Sequence, residues 1–197
     1  MDTNMDTNQK FPLGRNREGT LNDLKEPKEC HYNDCILTKQ QRDHVNPKNV
    51  VGDRKTIKED LEKIKKGQFD KKETLQTETG TVTRFTVQNR SYLTTGSGKI
   101  CPEAGSPGTT QLNKCQTGIL STLNEKGLSS NSKEILLNRQ NSSPQNVDKA
   151  IKVWQKAKGK NVSSQEIDTW KRQYASEYKK KNSPTLTQSK SLSQRKR

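Results

Sequence analysis

The sequence predicts a mostly disordered chain with one small all-α module near its C-terminal end, a short helical bundle or a helix-turn-helix-like hairpin. Three observations predict it. Only 25% of the 197 residues are hydrophobic, 30% are charged and mean hydropathy is −1.20. Ordering a residue costs roughly 1–2 kcal/mol of backbone entropy. Low hydrophobicity with high net charge marks chains that cannot offset that cost. Helical periodicity is concentrated after residue 117. Both tryptophans and two of the four tyrosines fall in one stretch, KVWQKAKGKNVSSQEIDTWKRQYASEYKKK.

Residues 1–52 open with the duplication MDTNMDTN and read as a disordered polar region. Residues 54–66 read as an isolated amphipathic helix. Thr56 and Glu59 have capping-box spacing, and Ile57, Leu61 and Ile64 form a narrow stripe. Gly67 is placed to end the helix. Three apolar residues cannot hold so short a helix alone. The stripe therefore needs a surface in this chain or another, and Ile57, Leu61 and Ile64 are candidate partner-docking residues. Within 68–116, otherwise a flexible linker, Thr, Val, Phe and Tyr predict a β-hairpin over 81–95.

Residues 117–181 form the basic α-helical module. GILSTLNEKG is a short helix stopped by Gly127, and SSNSKEILLNRQ is a second. Ser143 and Pro144 start a third, on which Val147, Ile151 and Trp154 recur at helical spacing. Ser163 and Glu166 cap a fourth, with Val162 and Ile167 as its hydrophobic staple. Ile167, Trp170, Tyr174 and Tyr178 line one face of it. This places Trp154 and Trp170 in a common core with Leu136, Leu137, Ile151 and Ile167. It leaves Tyr178 as the ring available for stacking. Residues 182–197 read as a disordered basic tail.

Charge points to the partner. The formal net charge is +15. Residues 147–197 hold 14 Lys and Arg against 4 Asp and Glu, and the rest of the chain is nearly balanced. Such asymmetry predicts a polyanion, with nucleic acid, RNA or DNA, first. Lys156, Lys158, Lys160, Lys171, Arg172, Lys179, Lys180 and Lys181 are the candidate phosphate contacts. Lys179, Lys180 and Lys181 with Arg195, Lys196 and Arg197 resemble a bipartite nuclear import signal. The reading is a non-enzymatic regulatory protein. Its alternative is an adaptor whose helical module docks a protein, and a membrane-surface role ranks below both. In composition alone the chain resembles small basic accessory proteins of compact genomes, viral ones among them.

Other chemistry finds no template. Cys30, His31, Cys35 and His44 do not match a zinc-ligand spacing. TTGSGKI lacks the first glycine of a phosphate loop and has Ile100 where a hydroxyl is required. No nucleophile–base pattern is visible, because both histidines sit in the polar N-terminal region. No cofactor or small-molecule substrate is expected. Without an apolar leader or a membrane span, the expected location is the nucleus or cytoplasm.

Overall fold

A computed structural model describes residues 7–158 and 161–183, the Lys158 side chain excepted. Its eight strands are β1 (Phe11–Gly14), β2 (Arg17–Gly19), β3 (Asn49–Val51), β4 (Lys71–Thr77), β5 (Gly80–Val87), β6 (Arg90–Thr94), β7 (Ile100–Pro102) and β8 (Thr110–Leu112). Its six helices are α1 (Lys39–Asp43), α2 (Arg54–Lys65), α3 (Lys114–Lys126), α4 (Ser130–Leu137), α5 (Pro144–Lys158) and α6 (Ser164–Lys181). The strands form three antiparallel sheets, β1-β2, β3-β8 and β4-β5-β6-β7. This overturns the expectation of a mostly disordered chain with an all-α module.

The physical reason is the placement of the apolar residues. Few as they are, only Ile36 and Ile135 among the large ones are exposed in the described residues. They collect in two cores. One joins Phe11, Leu13, Leu21, Phe69, Phe85 and Tyr92 with the inner face of α2. The other joins the inner faces of α3, α5 and α6 with Cys30, Cys35, Leu37, Val45 and Val51. Average composition cannot register such pooling across distant segments. Residues 7–52 are therefore folded, their apolar side chains shared between the two cores.

The predicted hairpin is present but belongs to a larger sheet. Gln88 and Asn89 turn it with φ of 48° and 70°, the left-handed pair that suits a tight β-turn. Val87 faces Arg90, and β4 and β7 pair on either side. KKETLQT had too few apolar residues to announce β4. The first hairpin packs on this sheet. Thr83 Oγ1 donates to the Pro12 carbonyl at 2.9 Å, and Arg15 N–H donates to the Thr79 carbonyl at 3.0 Å. Gly80, at φ 108°, permits that approach, since a Cβ there would lie 2.5 Å from Arg15 N.

The helix over 54–66 is present as Arg54–Lys65, but its N-cap is Asp53 rather than Thr56, the Asp53 carboxylate accepting from Thr56 N–H at 3.0 Å. It is not isolated. Ile57, Leu61 and Ile64 are buried against Phe85 and Val87, so the stripe proposed to dock a partner is covered by this chain's own sheet. Asp60, 1% exposed, receives Arg90 Nε at 2.7 Å and Nη2 at 2.9 Å, and the Tyr92 hydroxyl also donates to it. That network locks the helix to β6.

In the C-terminal half the helices stand where periodicity put them. Ser163 Oγ accepts from Glu166 N–H at 3.2 Å. Trp154 and Trp170 are buried with Leu136, Ile151 and Ile167, and Leu137 and Tyr178 are half-buried beside them. Trp170 and Tyr174 stack at 5.4 Å between centroids, and Trp170 Nε1 donates to the Ser129 carbonyl at 3.0 Å. The module is not self-contained, because residues 30–51 complete its core.

Candidate functional site

The charge run of the last helices is partly consumed by the fold. Lys171 is ion-paired with Asp148, on α5. Lys181 Nζ donates to the Leu137 carbonyl at 2.7 Å and to Asn138 Oδ1 at 2.6 Å, satisfying groups at the end of α4. Lys156 Nζ donates to Thr110 Oγ1 at 3.2 Å. Arg172, Lys179 and Lys180 are exposed and make no ion pair among the described residues. On a 100° helical wheel Arg172 and Lys179 lie about 20° apart on the outer face, and Asp168 shares that face one turn before Arg172. Lys160, Arg195, Lys196, Arg197 and the Lys158 side chain lie outside the described residues.

A second concentration of cations is absent from the sequence reading. Three stretches of chain meet in a cleft of about 250 Å³: residues 28–31, 44–50 and 95–101. Lys28, Lys48, Lys99, His31 and His44 line it, and no carboxylate does. An adjoining hollow of about 320 Å³ shares Lys28, Cys30, His44 and Lys99. Its one acid, Glu29, is ion-paired with Arg54. None of the three lysines has an ion-pair partner among the described residues.

Polar residues of α3 hold the first wall. Thr117, Ser121 and Asn124 are buried at i, i+4 and i+7 on one stripe. Asn124 Nδ2 donates to the carbonyls of Asn33 at 3.0 Å and Cys35 at 2.9 Å. Ser121 Oγ accepts from Leu37 N–H at 2.7 Å. Asn49 Nδ2 donates to the Cys30 carbonyl at 2.7 Å and to Thr117 Oγ1 at 3.3 Å. These bonds give irregular backbone around Cys30 the partners that burial demands. The opposite wall is β7 with Lys99 just before it, Lys99 and Cys101 flanking buried Ile100. Lys25 braces it, its carbonyl accepting from Ile100 N–H at 3.0 Å.

At the floor stand His31 and Cys101, 70 residues apart in sequence. His31 Nδ1 lies 2.8 Å from the Val50 carbonyl oxygen. A carbonyl only accepts, so Nδ1 carries the proton and Nε2 keeps its lone pair. Cys101 Sγ is 3.5 Å from Nε2 and 3.8 Å from Nδ1, and 3.6 Å from the Pro102 carbonyl. Burial lowers the pKa of His31 below the usual imidazole range. Burial also pushes the Cys101 thiol up to about 12. The resting pair is a neutral imidazole facing a neutral thiol. The proximity of His31 and Cys101 is created by tertiary structure alone, since no spacing in the sequence announces it.

Cys30 and Cys35 are buried, and Cys115 is half-buried away from the cleft, its thiol 2.9 Å from the Asn141 carbonyl. No group of three or more His, Cys, Asp or Glu among the described residues is arranged to hold a metal ion. No described helix is long and apolar enough to cross a membrane.

No protein-family model, curated protein or solved structure matches this chain. Function must be argued from the site alone.

Proposed function

We propose that this protein binds nucleic acid, and that the cleft between residues 28–31, 44–50 and 95–101 takes the phosphates. The observation that supports this reading is the wall of Lys28, Lys48 and Lys99, unpaired by carboxylates and joined by both histidines of the chain. In a concave surface, cations of one sign focus the field toward an anion. Arg172, Lys179 and Lys180 offer a second, shallower contact on α6. No base-reading motif is apparent, so the binding is backbone-directed and weakly sequence-specific. Lys179, Lys180 and Lys181 with Arg195, Lys196 and Arg197 remain a proposed nuclear import signal, which a fluorescent fusion with and without those residues tests.

Fluorescence anisotropy with labelled single-stranded and duplex oligonucleotides, repeated across salt, tests the binding. Log affinity is expected to fall linearly with log salt, by roughly 0.7–0.9 per phosphate neutralised. Replacing Lys28, Lys48 and Lys99 together by Gln is expected to reduce that slope by roughly two to three. Absence of binding at low salt, or a slope unchanged in the triple variant, contradicts the reading.

A further inference from the structure

We propose that Arg139 and Arg42 form an anion site on α3, separate from the cleft, that takes the phosphate dianion of a phosphomonoester. Helix α3 carries Gly118 in its second turn, where glycine is unfavourable. Arg139 accounts for it. The three atoms nearest to where a Gly118 Cβ would stand are Arg139 Cζ, Nη1 and Nη2, with Nη1 at 2.7 Å. The guanidinium thus rests on bare helix backbone, in space that any other residue would fill.

Arg54, Arg84 and Arg90 are each paired with a carboxylate. Arg139 has neither an ion pair nor a side-chain hydrogen bond among the described residues. Burial lowers its pKa, and the charge of Arg42 lowers it further. The neighbouring Cys115 thiol is no counter-ion. Burial raises its pKa, and it donates to the Asn141 carbonyl at 2.9 Å, so it keeps its proton. The five donors of a half-buried cation are left without acceptors.

The fold holds Arg42 over the same place. Lys114 Nζ donates to the Asp43 carbonyl at 2.9 Å, and Leu37 N–H donates to Ser121 Oγ at 2.7 Å. Lys114 and Ser121 bracket Gly118, so the segment carrying α1 is pinned along that part of α3. The turn carrying Arg139 is pinned there by Cys115, and the start of α5 by Gln116 Nε2, which donates to Asn146 Oδ1 at 3.0 Å. Arg42 also lacks an ion pair among the described residues, and both arginines are partly exposed. Two guanidiniums held together without an acid repel each other. A carboxylate or an internal phosphodiester offsets one charge, whereas a phosphomonoester offsets nearly two. The guanidinium fork also matches phosphate oxygens two at a time.

The experiment titrates inorganic phosphate into the full chain at fixed ionic strength, above the second phosphate pKa, and follows backbone amide and arginine Nε–H NMR signals. Residues 28–31, 44–50 and 95–101 report the cleft separately, so the nucleic-acid reading and this one can fail independently. The signals of Arg139, Arg42 and Gly118 are expected to shift together and saturate, with acetate binding more weakly. Arg139→Lys keeps the charge without the fork and is expected to weaken binding by roughly tenfold. Gly118→Ala alters no charge but displaces the guanidinium, and is expected to weaken binding likewise. No saturable shift at Arg139, equal binding of acetate, or unchanged affinity in folded Arg139→Lys overturns the proposal. Should Gly118→Ala not fold, Arg139→Lys decides. Ribose 5-phosphate and an oligonucleotide with and without a 5′-phosphate separate the sources. Tighter binding of the phosphorylated strand assigns the site to a strand end, tighter binding of the sugar phosphate assigns it to a small ester, and either upholds it. Failure of both to shift Arg139 overturns it.

Discussion

The outer face of α6 and the cleft beneath β7 both gather positive charge, but they are built in opposite ways. The first is a local run, KKK beside KR, visible to anyone counting lysines. Folding takes Lys171 into an ion pair with Asp148 and Lys181 into the end of α4. The second comes from three stretches with no charge run among them, and folding leaves its three lysines without an ion-pair partner among the described residues. A lysine-rich segment reports the composition of a helix, whereas a cationic site depends on which acids the fold brings beside it.

Four tests sharpen that contrast. The largest effect belongs to the inner face of α6. Trp170→Ala is expected to cost about 3–5 kcal/mol, through lost burial, stacking on Tyr174 and the bond to Ser129. Arg172→Ala, on the outer face, should stay within about 0.5 kcal/mol. Chemical denaturation of both checks whether α6 is chiefly a structural element. Equal effects would erase the distinction drawn here.

Asn124→Ala is next, at about 1–3 kcal/mol, because the carbonyls of Asn33 and Cys35 lose a buried donor. It should also loosen the wall carrying Lys28 and His31, and weaken oligonucleotide binding while leaving α6 in place. Unaltered affinity in a destabilised variant would detach the cleft from binding.

The third test is pH. Burial holds the pKa of folded His31 below its unfolded value. Between the two values the unfolded chain binds the extra proton. Stability is therefore full above about pH 6.5 and declines as pH falls below it. In His31→Gln the acid limb of melting temperature against pH is expected to be flatter. Parallel limbs would mean that His31 is no more buried than His44.

The smallest effect, the Arg172→Ala control aside, is at Lys171→Ala. Its pair with Asp148 is about one-third exposed on both sides, 35% and 33%, so the loss should not exceed about 1 kcal/mol. A larger loss would show that the charges of α6 carry more of the structure than its aromatics imply.

These contrasts also explain what the sequence could reveal. Helices α5 and α6 were legible because caps, periodicity and aromatics agree over residues 143–181. The hairpin over 81–95 was legible from its Thr, Val, Phe and Tyr. Strand β4 was not, since Lys, Glu and Thr on a half-exposed strand leave no alternation to detect. Residues 7–52 were misread because their few apolar side chains are shared between two cores rather than grouped. Of the cleft almost nothing was legible. The one available signal was the stripe Thr117, Ser121 and Asn124, polar residues at helical spacing on a helix otherwise rich in Ile and Leu. Such a stripe says that α3 buries backbone from elsewhere, but not that the backbone carries His31 toward Cys101.

The most direct test of the cleft as the binding site is a backbone amide NMR titration with a short single-stranded oligonucleotide at low salt. The largest shift changes are expected in residues 28–31, 44–50 and 95–101, with smaller ones around Arg172 and Lys179. Changes confined to residues 172–181, with the cleft silent at saturation, would contradict the account.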